Sequence, residues 1–173
     1  MRVYVPATLA MLAQLVADRS IGAVNNTAFA VTPALRESYA QGDDEELAEV
    51  ALREAALASV RLLAGAADDA GAGGAGSERP PRRAVLEVEV DAATPRPDLD
   101  DAVVRLSGPF AIEDVVAAYV DNADAESAVR AAIEAVDAAD LGDEDAELTV
   151  GDAQDHDLAW YAAQELPFLV ELL

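Results

Sequence analysis

The chain has 173 residues and a formal charge of -23, long enough for one domain with its own core. It has no cysteine and no lysine; all 11 basic residues are arginine, and there is a single histidine, His156. Those counts exclude disulfides, thiol nucleophiles, iron–sulfur clusters, cysteine-ligated zinc, Schiff-base and phosphate-loop lysines, and any multi-histidine metal site.

Residues 2–5 read as a short strand. Thr8 can cap a helix on which Leu9, Leu12, Ala13 and Val16 recur at helical spacing, with Gly22 just past its end. Residues 25–27 (NNT) signal a turn, and 28–31 (AFAV) read as a second strand. Thr32-Pro33 opens a short helix to about Tyr39. The clearest helix spans 43–64. It begins on four acids, lines one side with Leu47, Ala51, Ala55, Ala58 and Leu62, and offers Glu49–Arg53 as an i, i+4 pair on the other.

Residues 65–81 are Gly/Ala-rich and read as a flexible loop or linker within a single domain over 1–173. Residues 82–90 alternate Val85, Glu87 and Glu89 with Leu86, Val88 and Val90, the pattern of a half-exposed strand whose partner would be 102–107. A further strand is expected at 115–121, a helix at 124–136, an acidic turn at 140–147 and a brief strand at 148–150. Asp152 would then cap a last helix that Pro167 ends or kinks. The fold class is α+β: a mixed sheet of about five or six strands covered by helices. The two ends can be read as two pseudo-repeated strand–helix–strand–helix units, or as the ordinary alternation of such folds.

The stretch 152–166, DAQDHDLAWYAAQEL, is the densest in chemically capable side chains. On a helical wheel Leu158, Ala159, Ala162, Ala163 and Leu166 share one arc, and Gln154, Asp157, Tyr161, Gln164 and Glu165 the opposite one. His156 falls at the edge of the apolar arc, one turn below Trp160. One reading makes His156 a general base oriented by Asp152 or Asp155, with Trp160 as an apolar wall. Another makes His156 a hydrogen-bonded structural residue and Trp160 core. A third uses Asp157, Trp160, Tyr161, Gln164 and Glu165 as a binding surface. No G-x-S-x-G turn, EF-hand spacing or strand-linked G-x-G-x-x-G occurs, so no nucleophile, metal site or cofactor is assigned.

A charge of -23 makes nucleic acid a poor partner, since phosphate binding needs clustered cations. The acidity fits a basic-surfaced protein partner, mimicry of nucleic acid, or the composition of a GC-rich or salt-adapted organism. No run of 18 uncharged apolar residues exists, so no membrane partner is expected. The first 20 residues read as strand plus amphipathic helix in preference to a signal peptide, which points to the cytoplasm.

RVYVPATLAML at the start, AFAVTPALRE at 28–37 and DHDLAWYAAQEL at 155–166 resemble a family of small actinobacterial proteins defined as a domain of unknown function. The resemblance spans most of the chain except 65–81. It implies a cytoplasmic actinobacterial protein and brings no activity or cofactor with it. The functional expectation is a non-enzymatic binding or protein-interaction module, acting on a protein partner or as a homodimer. The alternative is a small enzyme using His156 with neighbouring carboxylates.

Overall fold

Period-two alternation builds the centre of the molecule: over Arg2–Ala7, Val3, Val5 and Ala7 face one side and Tyr4 the other. The computed structural model describes residues 1–71 and 79–173. In chain order these form β1 (Arg2–Ala7), α1 (Leu9–Asp18), β2 (Ser20–Ile21), β3 (Thr27–Phe29), α2 (Pro33–Ser38), α3 (Asp44–Gly71), β4 (Ala84–Glu89), β5 (Ala93–Pro95), β6 (Val103–Leu106), β7 (Phe110–Ala111), β8 (Val115–Val120), α4 (Glu126–Asp140), α5 (Glu144–Gln154), β9 (Ala159–Ala162) and α6 (Leu166–Leu172).

The architecture is α+β. Seven strands pair in the order β5-β6-β3-β1-β4-β8-β9, every pairing antiparallel, and β2 pairs with β7 beside them. The sheet is therefore larger than the five or six strands read from the sequence, and antiparallel throughout in place of the expected mixed sheet. Residues 82–90 and 102–107 do not form a hairpin: β4 lies between β1 and β8, while β6 pairs with β3 and β5. β4 is also covered on both faces. Val85 packs in the core under α3, and Glu87 is only 8% exposed.

One face of the sheet carries Val5, Leu86, Val104 and Val120 against Leu12 and Leu15 of α1 and Leu166 and Leu169 of α6. The other carries Tyr4, Phe29, Val85 and Val103 against Leu47, Ala51 and Ala55 of α3. The alanine stripe lets that helix approach closely. Ser59 fastens it: its hydroxyl donates to the Ala7 carbonyl at 2.7 Å and accepts from the Ala84 N–H at 3.1 Å. Farther along α3, Val60 and Ala64 pack on Val129, Ala132 and Val136 of α4 and Val150 and Ala153 of α5.

The expected caps form at Thr8, which accepts from Met11 N–H at 3.2 Å, and at Thr32, which accepts from Leu35 N–H at 3.1 Å. Arg19, at φ 66°, supplies the left-handed end of α1 in place of Gly22. α3 runs to Gly71, into the stretch read as linker; residues 72–78 of that stretch lie outside the described residues.

The largest departures fall after residue 140. The acidic stretch is a helix start: the Asp143 carboxylate accepts from Ala146 N–H at 2.9 Å, and Glu144, Asp145 and Glu147 fill the first turn. Residues 148–150 are therefore helical, not a strand. Burial of Ala146, Val150 and Ala153 on one helical face outweighs the β preference of Thr149 and Val150. That helix ends at Gln154, so Asp152 caps nothing, and the expected last helix is instead β9, a turn of 3-10 helix and α6. Pro167 sits in the first turn of α6, where its missing N–H has no partner to lose. The first end runs β1-α1-β2-β3-α2 and the last β8-α4-α5-β9-α6, so the repeated strand–helix–strand–helix order read from the sequence does not recur, and the later unit's second strand is 159–162.

Candidate functional site

β4 and β8 begin and end on charge. Arg83, just before β4, and Asp121, just after β8, are 2% and 0% exposed. The guanidinium grips the carboxylate with two parallel bonds, Nε to Oδ2 at 2.8 Å and Nη2 to Oδ1 at 2.7 Å. Asp121 Oδ2 also accepts from the Arg83 backbone N–H at 2.8 Å. Two further bonds leave the pair: Arg83 Nη1 donates to Gln154 Oε1 at 3.0 Å, and Nη2 donates to the His156 carbonyl at 2.7 Å. Gln154 in turn donates to the Arg53 carbonyl of α3 at 3.2 Å. One buried arginine thus ties two central strands to the end of α5 and to the turn that follows it.

That turn walls a cavity of about 340 Å³. α3 supplies Glu49, Leu52, Arg53 and Ala56; Tyr119 comes from β8, and Gln154, His156, Asp157 and Leu158 from the turn, with Arg83 behind. Among the described residues no ion pair joins Glu49 to Arg53, although their spacing allows one. The His156 ring makes no hydrogen bond to Asp152, Asp155 or any hydroxyl among the described residues; only its backbone is engaged.

The strand at 159–162 redistributes the predicted binding residues. Trp160 is not core: it is 59% exposed, opposite Tyr119 in register. Tyr161 points to the other face and packs beside α1 and α6. Asp157 stays at the cavity with His156, and Leu158 joins them. Gln164 and Glu165 lie exposed in the 3-10 turn after β9. The Ala162 N–H donates outward to Glu165 Oε2 at 3.2 Å. By antiparallel alternation, the Trp160 N–H and C=O then also point away from β8, at the open edge of the sheet.

A second polar cluster lies farther along the same two strands, β4 and β8, with Arg2 of β1 beside it. Glu87 accepts from Arg2 Nη1 at 2.8 Å and from the Tyr119 hydroxyl at 3.2 Å. The Tyr4 and Tyr119 rings stand 6.5 Å apart, tilted by 55°. Burial first, and then the Glu87 charge, push the Tyr119 phenol up to about 12 and the Tyr4 phenol higher still. Both stay neutral donors near pH 7. Arg83, Asp121, Glu87 and Tyr119 were not singled out from sequence. The available signal was a charged residue abutting, or inside, an apolar strand.

Another cavity, of about 420 Å³, opens around 89–94 and 105–110 and holds none of the predicted site residues. Among the described residues no group of three or more His, Asp or Glu is placed to hold a metal ion, and no helix is long and apolar enough to cross a membrane.

A family model, that of the family of unknown function DUF6912, matches residues 1–170. The chain belongs to the DUF6912 family. The match runs through the whole sheet, so both the Arg83–Asp121 pair and the 154–162 segment of this DUF6912 chain lie inside the family region. No curated protein and no solved structure matches the chain.

Proposed function

We propose that this protein is a non-catalytic binding module that works through the corner where the 154–162 segment meets α3. The observation that carries the reading is the pairing of rigid and open parts there. Arg83 fixes the turn from behind, while the cavity and the exposed Trp160 face outward. Such a concave site with a few convergent polar groups is the ordinary form of a ligand pocket. Catalysis by His156 finds less support, because the ring has no carboxylate or hydroxyl partner among the described residues.

Titration with neutral aromatic fragments, followed by 15N NMR, tests this. The amide signals of 154–162 and the facing residues of α3 should move together, and no fragment should be converted. Shifts that cluster elsewhere, or turnover abolished by His156→Gln, would overturn it.

The open edge of β9 favours a second mode of binding at the same corner, to an extended protein segment or a second copy. A charge of -23 argues against nucleic acid there. Joining along β9 predicts a dimer in sedimentation equilibrium that Trp160→Pro dissociates, since proline removes the outward N–H. A monomer at all concentrations, with no partner competing for β9, would remove this mode.

A further inference from the structure

We infer that the cavity against α3 takes a small zwitterion: one carboxylate, one ammonium and an apolar body, the chemistry of an apolar amino acid. The inference rests on the binding reading above and adds the class of ligand.

Two donors mark the anionic end. Among the described residues seven arginines are ion-paired, and Arg53, at this cavity, is one of the four that are not. Its guanidinium therefore meets the cavity without a carboxylate partner among the described residues. The second donor is Arg83. A guanidinium has five N–H bonds. Asp121 takes two from Arg83, the His156 carbonyl one and Gln154 one. The fifth, on Nη1, has no acceptor among the described residues, and Arg83 lines the cavity at 2% exposure. A carboxylate between Arg53 and Arg83 would satisfy both.

The lining also carries the opposite sign, with Glu49 one turn before Arg53 on α3 and Asp157 in the turn after α5. Glu49 and Asp157 line the same cavity, and neither is ion-paired among the described residues. A simple anion would meet these two acids and the field of a protein at -23. A simple cation would meet Arg53, the charge of Arg83 being balanced by Asp121. A ligand carrying both charges complements both signs of this lining. Leu52, Ala56, Leu158 and the Tyr119 ring remain for its apolar part. The volume, about 340 Å³, holds a single amino acid with room for water.

The test uses four probes on the full chain, followed by 15N NMR and the Trp160 indole signal. They are L-leucine, N-acetyl-L-leucine (no ammonium), L-leucinamide (no carboxylate) and neutral benzyl alcohol. L-leucine is expected to move the signals of 156–158, with each singly charged analogue at least tenfold weaker. Arg53→Gln, at an exposed position, should weaken L-leucine about tenfold and leave benzyl alcohol unchanged. If the analogues or benzyl alcohol bind as well as L-leucine, the ligand class is overturned while the binding corner stands. If no probe moves the corner, the inference falls, and the binding reading falls with it when the aromatic fragments are silent too.

Discussion

Two charged clusters sit along the same pair of strands, β4 and β8, and are built on different principles. Arg83–Asp121 is dry, bidentate and nearly saturated with partners. Arg2–Glu87–Tyr119 has one foot in water: the Arg2 side chain is 49% exposed, and a neutral phenol completes the shell of Glu87. The first cluster can only be kept or broken. The second opens to water at Arg2, and its shell includes a phenol whose proton can be lost in alkali. The difference places rigidity behind the 154–158 turn and adaptability under the floor of the cavity, at Tyr119.

The comparison is broken most severely at its rigid end. Arg83→Met leaves the Asp121 carboxylate buried without its cation and frees Gln154 and the His156 carbonyl. A loss of about 3–5 kcal/mol is expected in urea unfolding. Asp121→Leu combined with Arg83→Met should cost less than Arg83→Met alone, because no buried charge is then left unpaired. A double variant as unstable as the sum of the two singles would show that the pair is not one energetic unit.

The adaptable end is sharpened by alkali. The ordinary tyrosine value is about 10, and that of Tyr119 is pushed up to about 12. A phenol raised on folding contributes stability that is fully present below about pH 10 and is lost as pH climbs toward 12. Stability should therefore fall across that window, and Tyr119→Phe should flatten the fall. At neutral pH the same variant should cost about 0.5–1.5 kcal/mol, the net worth of one hydrogen bond. An unchanged alkaline profile in Tyr119→Phe would remove Tyr119 from the titration.

How far these features were legible in sequence follows from the range of the interactions. Caps at Thr8 and Thr32 act within three residues, and both are read directly from the chain. The helix over 43–64 is read from its apolar stripe, and its core positions Leu47, Ala51 and Ala55 hold. The 155–166 stretch defeats the same method because its apolar residues fit two periods. Leu158, Ala159, Ala162 and Ala163 lie on one helical arc, yet as a strand Leu158 and Tyr161 face opposite sides. Alanine, common here, does not choose between them. What chooses is pairing with Val120, Tyr119, Ala118 and Ala117 of β8, some 40 residues earlier. The Arg83–Asp121 pair spans 38 residues and is silent in any local window. Of the candidate site, His156 and Asp157 were legible by their chemistry, while the arginines that frame the cavity were not.

The smallest effect belongs to the most conspicuous residue. Trp160 is 59% exposed, so replacing it removes little buried area and leaves no buried polar group without a partner. Trp160→Ser should change stability by no more than about 0.5 kcal/mol. A core tryptophan would instead cost about 3–5 kcal/mol on truncation. Urea unfolding of Trp160→Ser, followed by circular dichroism because the only tryptophan is gone, separates the two values cleanly. A near-zero cost would mean that an indole is held at an open sheet edge without repaying the fold. A large cost would bury Trp160 against the protein itself and remove it from the proposed binding corner.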